Sequence, residues 1–309
     1  MDERKSLDLQ ATSIMTLLCI IWGFQQIVLK VAAPDVTPLM QIAVRSGLSA
    51  VLVCWTMMLL KEPCQMLGEH LKPGLVVGGL FAIEFLLIGE GLRFTTASHM
   101  VVLLYTAPIF VALGLHWRFP AERMNRLQWT GIAMAFIGIA ITFLFRGQVA
   151  TGISFEDMLF GDALALLAGF AWGATTVAVR CTSLARAPAT LTLLYQLVGG
   201  FVGLIAAAWV LGQTRINMTP VAISALAFHT IVVSFASYLT WFWLLKKYLA
   251  SRLGVFSFLT PLFGVLFGVW FLNEPLEASF LVGAVLVLGG VMLVSAHGWI
   301  TQLLTRPSA

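Results

Sequence analysis

The chain has 309 residues, 60% of them hydrophobic and only 10% charged, with a mean hydropathy of +0.94 and a formal net charge of +4. Soluble domains carry about 25% charged residues, so a water-soluble globule is excluded. The small basic excess belongs to membrane topology, and no nucleic-acid partner is expected.

In chain order, ten apolar stretches run over residues 12–31, 38–60, 73–92, 97–119, 127–145, 159–179, 187–211, 220–245, 251–272 and 278–295. Each is long enough to cross a bilayer as a helix, which takes about 20 apolar residues. Barrel strands would be about 10 residues long with alternating polarity, a pattern this sequence lacks. The first stretch is too long for a cleaved signal and no A-x-A-like site follows it. Cys19, Cys54, Cys64 and Cys181 show no C-x-x-C spacing, so neither disulfide nor metal is implied and no cofactor is expected. The expected fold is an all-α membrane protein of ten transmembrane helices.

Basic residues in the flanks and loops number thirteen on the side of Arg4, Lys5, Lys61, Arg118, Arg180 and Lys246. The other side has four, Lys30, Arg93, Arg146 and Arg215, and Arg45 lies inside a span. The positive-inside rule therefore places both termini in the cytoplasm.

The sequence also repeats. Trp22-Gly23, Lys30 and Pro38 return at one constant offset as Trp172-Gly173, Arg180 and Pro188. Further on, Ala97-Ser98 matches Ala250-Ser251, Pro108 matches Pro261, Glu122 matches Glu274, and Gly131 and Gly138 match Gly283 and Gly290. The expected organisation is a tail over 1–11, a first five-helix repeat over 12–146, a second over 159–296 and a tail over 297–309. An odd number of helices per copy turns the second upside down, and inverted repeats are an arrangement of transporters.

Polar side chains inside a span face a cavity or a partner, because lipid solvates them poorly. Glu84 lies about halfway along the third span, as a proton carrier, an anchor for a substrate amino group, or half of a buried ion pair. Arg45, in the second span, is the obvious partner, within reach of Glu84 or Glu90. Gln25 and Gln26 share a helix face with Trp22, and Thr175 and Thr176 occupy the equivalent places after Trp172. These faces serve either a substrate cavity or interhelical packing.

In the eighth span Ser234, Tyr238 and Trp241 share a face, with Tyr238 and Trp241 as candidates for stacking on a planar substrate. His229 falls about 140° away around an α-helix and reads as a histidine bonded between helices. His99 sits near the outer end of the fourth span. Tyr105 and Pro108 lie mid-span in the fourth helix, matched by Phe258 and Pro261 in the ninth, so the two prolines are paired hinges or static kinks. Tyr195-Gln196 stands where the first copy has Arg45-Ser46. Gly199…Gly203, Gly264…Gly268 and Gly131…Ala135 mark close-approach seams, inside the bundle or between the subunits of a homodimer.

At these residues the chain resembles the drug/metabolite transporter superfamily, in its EamA branch of ten-helix carriers. The likeness rests on the early Trp-Gly of each half, on Arg45, and on Ala97-Ser98…Pro108 with its copy Ala250-Ser251…Pro261. Asn273-Glu274-Pro275-Leu276 before a Gly-rich last helix adds to it, and the whole covers roughly residues 12–296. The resemblance implies a multi-pass protein of the inner membrane, and its general character is that of bacterial amino-acid exporters, the aromatic amino-acid group among them.

The expected function is a secondary transporter that moves a small organic solute, amino acids first, out of the cell by alternating access around a central cavity. The alternatives are a passive facilitator or channel for small metabolites, or a carrier of other drugs and metabolites. The sequence holds no HExxH, no paired intramembrane aspartates and no P-loop, so no enzymatic activity is expected. Residues expected to bind substrate are Trp22, Gln25, Gln26, Glu84, Tyr105, Trp172, Thr176, Tyr195, Tyr238 and Trp241. Arg45, Glu84 and Glu90 are expected to form a coupling or structural ion pair, and Pro108 and Pro261 to form the hinges.

Overall fold

Within lipid, every backbone polar group must be satisfied by the chain itself, which leaves this sequence the helix as its spanning element. The computed structural model describes residues 8–62, 65–119, 123–144, 153–248, 256–257 and 259–304. Outside these lie Arg4, Lys5, Cys64, Glu122, Arg146, Ala250-Ser251 and Phe258. In chain order come α1 (Leu9–Ala32), α2 (Pro38–Leu59), α3 (Gln65–Glu69), α4 (Leu71–Gly91), α5 (Ala97–Leu104), α6 (Ala107–Arg118) and α7 (Arg126–Leu144). Then follow α8 (Phe155–Cys181), α9 (Ala189–Val210), α10 (Pro220–Ala227), a π-helical segment Phe228–Ser237, α11 (Tyr238–Lys247), α12 (Leu259–Leu272) and α13 (Ala278–Leu304).

Among the described residues, seven helical stretches are long and apolar enough to cross a membrane, and three apolar helices are shorter (Arg126–Ile141, Leu259–Leu272, Ala278–Leu293). Their starts follow local chemistry. Asp8, Thr96, Ser154 and Thr219 each accept a hydrogen bond from a backbone N–H in the first turn of the helix they precede. Pro38 and Pro220 stand in first turns, where a missing N–H is harmless. The carboxyl of Asp8, accepting from the Ala11 N–H and the Tyr248 hydroxyl, is held below its ordinary range.

The fourth and eighth spans depart from a plain α-helix. The fourth breaks at Tyr105–Thr106, between α5 and α6. Pro108 has no N–H for the carbonyl of Leu104 and its ring crowds that oxygen, so the turn tightens and the Thr106 N–H bonds to Leu103 instead. Pro261 likewise stands in the first turn of α12. The eighth span is α-helical at both ends but π-helical over ten residues between them. A π-helix bonds i to i+5, so residues five apart stack. His229 and Ser234 are therefore on one side of this segment, and both are buried. The 140° offset expected for an α-helix does not apply here.

Small residues set which helices touch. Gly23 packs α1 against α12, where an added Cβ would lie 2.9 Å from the backbone N of Gly264. Gly173 packs α8 against α6, where a Cβ would lie 2.7 Å from that of Phe110. The two Trp-Gly pairs thus make equivalent seams, each against the later proline-bearing helix of the opposite half. Gly199 meets Gly78 between α9 and α4, Gly203 meets Ala82, and Gly138 and Gly290 join α7 to α13. Each glycine seam is an internal contact of the bundle.

Gly78 and Gly79 make a built-in comparison. A side chain at Gly78 would meet the carbonyl of Tyr195 at 2.6 Å, whereas a Cβ at Gly79 meets nothing within 4 Å. Overpacking a tight core costs about 1–3 kcal/mol and sometimes more. Gly78→Leu is expected to lower the thermal midpoint clearly in detergent micelles while Gly79→Leu leaves it near wild type. Equal midpoints for the two variants would show that this seam does not hold the helices.

Candidate functional site

Arg45 is almost fully buried on α2, at 1% exposure, too long and too charged to be a packing residue there. Its Nη1 donates to the Gln25 side-chain oxygen and to Nδ1 of His229, both at 3.1 Å, and the guanidinium lies 4.8 Å from the centre of the Phe85 ring. Guanidinium has no acceptor, so Nδ1 of His229 must be the lone-pair nitrogen and Nε2 must carry the hydrogen. That Nε2 and the Nε of Arg45 are buried without a hydrogen-bond partner. The three groups in contact with this cation are neutral, and a cation–π contact contributes only about 0.5–2 kcal/mol against several for burying an unpaired charge.

Glu84, on the neighbouring α4, is also buried, at 6% exposure. The sequence pairs it with Arg45, but their charged groups do not come within 4.0 Å, and the guanidinium is taken up by Gln25 and His229 instead. Glu84, Arg45, Tyr238 and Tyr105 nevertheless share one electrostatic neighbourhood. The two residues enter from different helices, α2 and α4, and Nη1 of Arg45 is taken by Gln25 of α1 and His229 of the π-segment.

Aromatic residues from both halves border this group. The Trp22 ring N–H donates to Ser237 at 2.8 Å, and its ring meets Trp241 edge-on at 5.7 Å. Tyr105, at the break of the fourth span, meets Trp172 edge-on at 5.3 Å. Trp22, Trp172, Tyr238 and Trp241 are half-buried. The structure thus gathers Trp22, Gln25, Arg45, Glu84, Tyr105, Trp172, Tyr238 and Trp241, with His229 added. His229 was legible only as an interhelical histidine; its role on Arg45 depends on the π-register.

Other expected site residues lie apart or turn inward. Tyr195 packs its ring against Gly74, and its hydroxyl donates to the carbonyl of Leu67, so it belongs to the α4–α9 seam. Glu90 accepts from Arg93 at 2.7 Å and from Gln213 at 2.5 Å, which corrects its expected pairing with Arg45. It lies almost two helical turns after Glu84, at the end of α4 where those partners are. The hydroxyls of Thr175 and Thr176 bond back to their own helix, at Ala171 and Trp172, rather than across to a neighbour. Gln26 is buried with its side-chain oxygen unpartnered.

The end of the bundle that carries Lys30 has a second polar system. Asn273 takes a left-handed turn (φ 52°), tolerated by asparagine, and swings Glu274 over the start of α5. The carboxylate there accepts from the backbone N–H groups of Ala97 (2.7 Å) and Ser98 (3.0 Å) and from the Ser98 hydroxyl (2.7 Å). A helix start is where spare N–H groups and the dipole favour an anion. Lys30 approaches the same carboxylate at 3.8 Å and donates to the Thr95 carbonyl at 2.7 Å. Alongside, Asp162 holds Nδ1 of His99 at 2.9 Å and the Thr95 hydroxyl, with His99 stacked on Phe280. Asp162 escaped the sequence reading, although an aspartate inside the sixth apolar stretch is the signal that singled out Glu84. A cleft of about 450 Å³ at this end is lined by Lys30, Thr37, Leu92, Arg93, Gln213 and Arg215 and does not include the central residues.

Comparisons with known proteins agree with this architecture. The sequence profile of the EamA-like transporter family matches residues 11–144 and again 159–296. A Bacillus subtilis (strain 168) protein named "Uncharacterized transporter YoaV" is 23% identical over 89% of this chain and 92% of its own. Proteins of Salmonella typhimurium and Escherichia coli (strain K12), each named "Probable amino-acid metabolite efflux pump", are 27% identical over 90% of this chain and 92% of theirs. One solved crystal structure, 18% identical, superposes with a TM-score of 0.65 over 93% of this chain and 98% of its own, a likeness of fold alone. Two matches of one profile, spanning nearly all the apolar helices, leave no ambiguity of class: this multi-pass membrane protein is a transporter rather than an enzyme, and it belongs to the EamA-like transporter family.

Proposed function

We propose that this transporter is a ten-helix secondary carrier that exports amino acids, aromatic ones included, across the inner membrane by alternating access. In this reading the halves 12–146 and 159–296 are inverted repeats, both termini are cytoplasmic, and the Lys30 end faces outward. The equivalent seams of Gly23 on α12 and Gly173 on α6 support the inversion. The names carried by the Salmonella and Escherichia relatives support amino-acid efflux.

The observation that carries the reading is the central cluster. Buried Arg45 and Glu84 stand beside the half-buried rings of Trp22, Trp172, Tyr238 and Trp241, drawn from both halves of the chain. Bundle packing alone needs neither a buried cation that touches no counter-charge nor half-buried indole rings beside it; a polar substrate with a flat apolar part uses both. In this orientation the Glu274 network fastens the outer end, and Pro108, just past the break of the fourth span, and Pro261, in the first turn of α12, are the hinges about which the halves move.

Counterflow in proteoliposomes tests it. Vesicles loaded with unlabelled phenylalanine are expected to accumulate labelled phenylalanine transiently above equilibrium, and a channel cannot do this. Labelled amino acids that only equilibrate, with no overshoot across a panel that includes the aromatic ones, would reject the carrier reading.

A further inference from the structure

The guanidinium of Arg45 uses only one of its nitrogens. Both of its hydrogen bonds leave Nη1, to Gln25 and to His229, and Nε is buried with no partner. The side-on edge formed by Nε and Nη2 is the face of arginine that fits the two oxygens of a carboxylate. His229 repeats the pattern: its Nδ1 is occupied by Arg45, so its hydrogen sits on Nε2, which is also buried and unpartnered. The cluster therefore holds a surplus of donors and a positive charge, and the carboxylate beside it, Glu84, stays beyond ion-pair distance. An anionic group with two acceptor oxygens completes this arrangement; a neutral or cationic solute does not.

We propose that Arg45 is the receptor for the substrate's carboxylate, with His229 as a second donor and Gln25 holding the guanidinium in place. Glu84, across the same cluster, then faces the substrate's ammonium group, and the rings of Tyr238 and Trp241 flank its side chain. The separation of Arg45 from Glu84 is thus part of the site: a zwitterion bridges two charges that the fold keeps apart. The inference rests on the carrier reading and names the substrate's chemical class, an α-amino acid with both groups free.

The test uses counterflow of labelled phenylalanine in proteoliposomes, with phenylalanine, phenylalaninamide, phenethylamine and 3-phenylpropionate as competitors. For the wild type, phenylalanine is expected to compete at least about tenfold better than phenylalaninamide, which keeps the ammonium but loses the carboxylate, given what hydrogen bonds to charged groups are worth. In Arg45→Gln that preference is expected to fall to within about threefold, and in Arg45→Lys, which keeps the charge without the fork, to an intermediate value. The analogue comparison in the wild type stands even if Arg45→Gln fails to fold. Equal competition by phenylalanine and phenylalaninamide in the wild type overturns the inference, and so does a preference that survives in a folded Arg45→Gln protein; in both cases counterflow itself leaves the carrier reading intact. If no amino acid shows counterflow, the carrier reading and this inference fall together.

Discussion

Glu274→Ala is expected to be among the most damaging single substitutions in the protein, because one carboxylate closes three hydrogen bonds and faces one cation. The Ala97 and Ser98 N–H groups at the start of α5, the Ser98 hydroxyl and Lys30 all lose their common acceptor. Removing one partner of a buried charged pair costs about 3–5 kcal/mol. Lys30 keeps its bond to the Thr95 carbonyl and is partly exposed, at 22%, so the lower end of that range is expected. This corresponds to a fall in the thermal midpoint on the order of 5–10 °C. Glu274→Gln keeps one acceptor oxygen for the N–H groups and is expected to recover roughly half of the loss. Both variants melting with the wild type would show that the network is incidental to folding. The same change has a functional side in the proposed orientation: with the outer end unfastened, exchange is expected to become leaky, measured as efflux without countersubstrate.

Glu84→Gln is the second change with a large expected effect, here on pH dependence rather than stability. Glutamine keeps the shape and cannot carry a proton. The charged and titratable neighbours of Glu84 are Arg45, Tyr105 and Tyr238, and none is hydrogen-bonded to it. In the proposed alternating-access cycle, a carboxyl without a fixed partner can gain a proton on one side and lose it on the other. One titrating group changes the population of its working form by at most about tenfold per pH unit. Wild-type exchange is expected to vary with pH towards that limit, and Glu84→Gln to be flat over the same range with its thermal midpoint kept. A variant that retains the wild-type slope would remove Glu84 from proton coupling. A wild type that is flat would leave Glu84 as the ammonium anchor only, with the loss in Glu84→Gln then appearing as weaker competition by phenylalanine.

The apolar stretches were legible because the demand that lipid makes on the backbone is local: each run of about 20 apolar residues must close its own hydrogen bonds wherever it sits in the bundle. The Trp-Gly pairs were legible as equivalents because both halves repeat the same seam. Individual ends shifted by a few residues, as for α8, which begins at Phe155 rather than 159. The break at Tyr105–Thr106 follows from Pro108, a residue that imposes its geometry on its own chain neighbours.

Which buried polar groups meet was a different matter. Arg45, a cation inside a span, needs a partner, yet the partners are Gln25, 20 positions away, and His229, 184 positions away. His229 reaches it through a π-helical register that no residue in Phe228–Ser237 announces, since π-segments arise from packing rather than propensity. Tyr195 and Glu90 carried the right chemistry for a site but at the wrong heights, one in the α4–α9 seam and the other at the Lys30 end. By itself the sequence determined that the chain is helical, lies in lipid, repeats once and buries Arg45 and Glu84. Only the tertiary structure decided that these two stand beside each other without pairing, because crossing height and rotation of helices are fixed by glycine contacts between segments far apart in the chain.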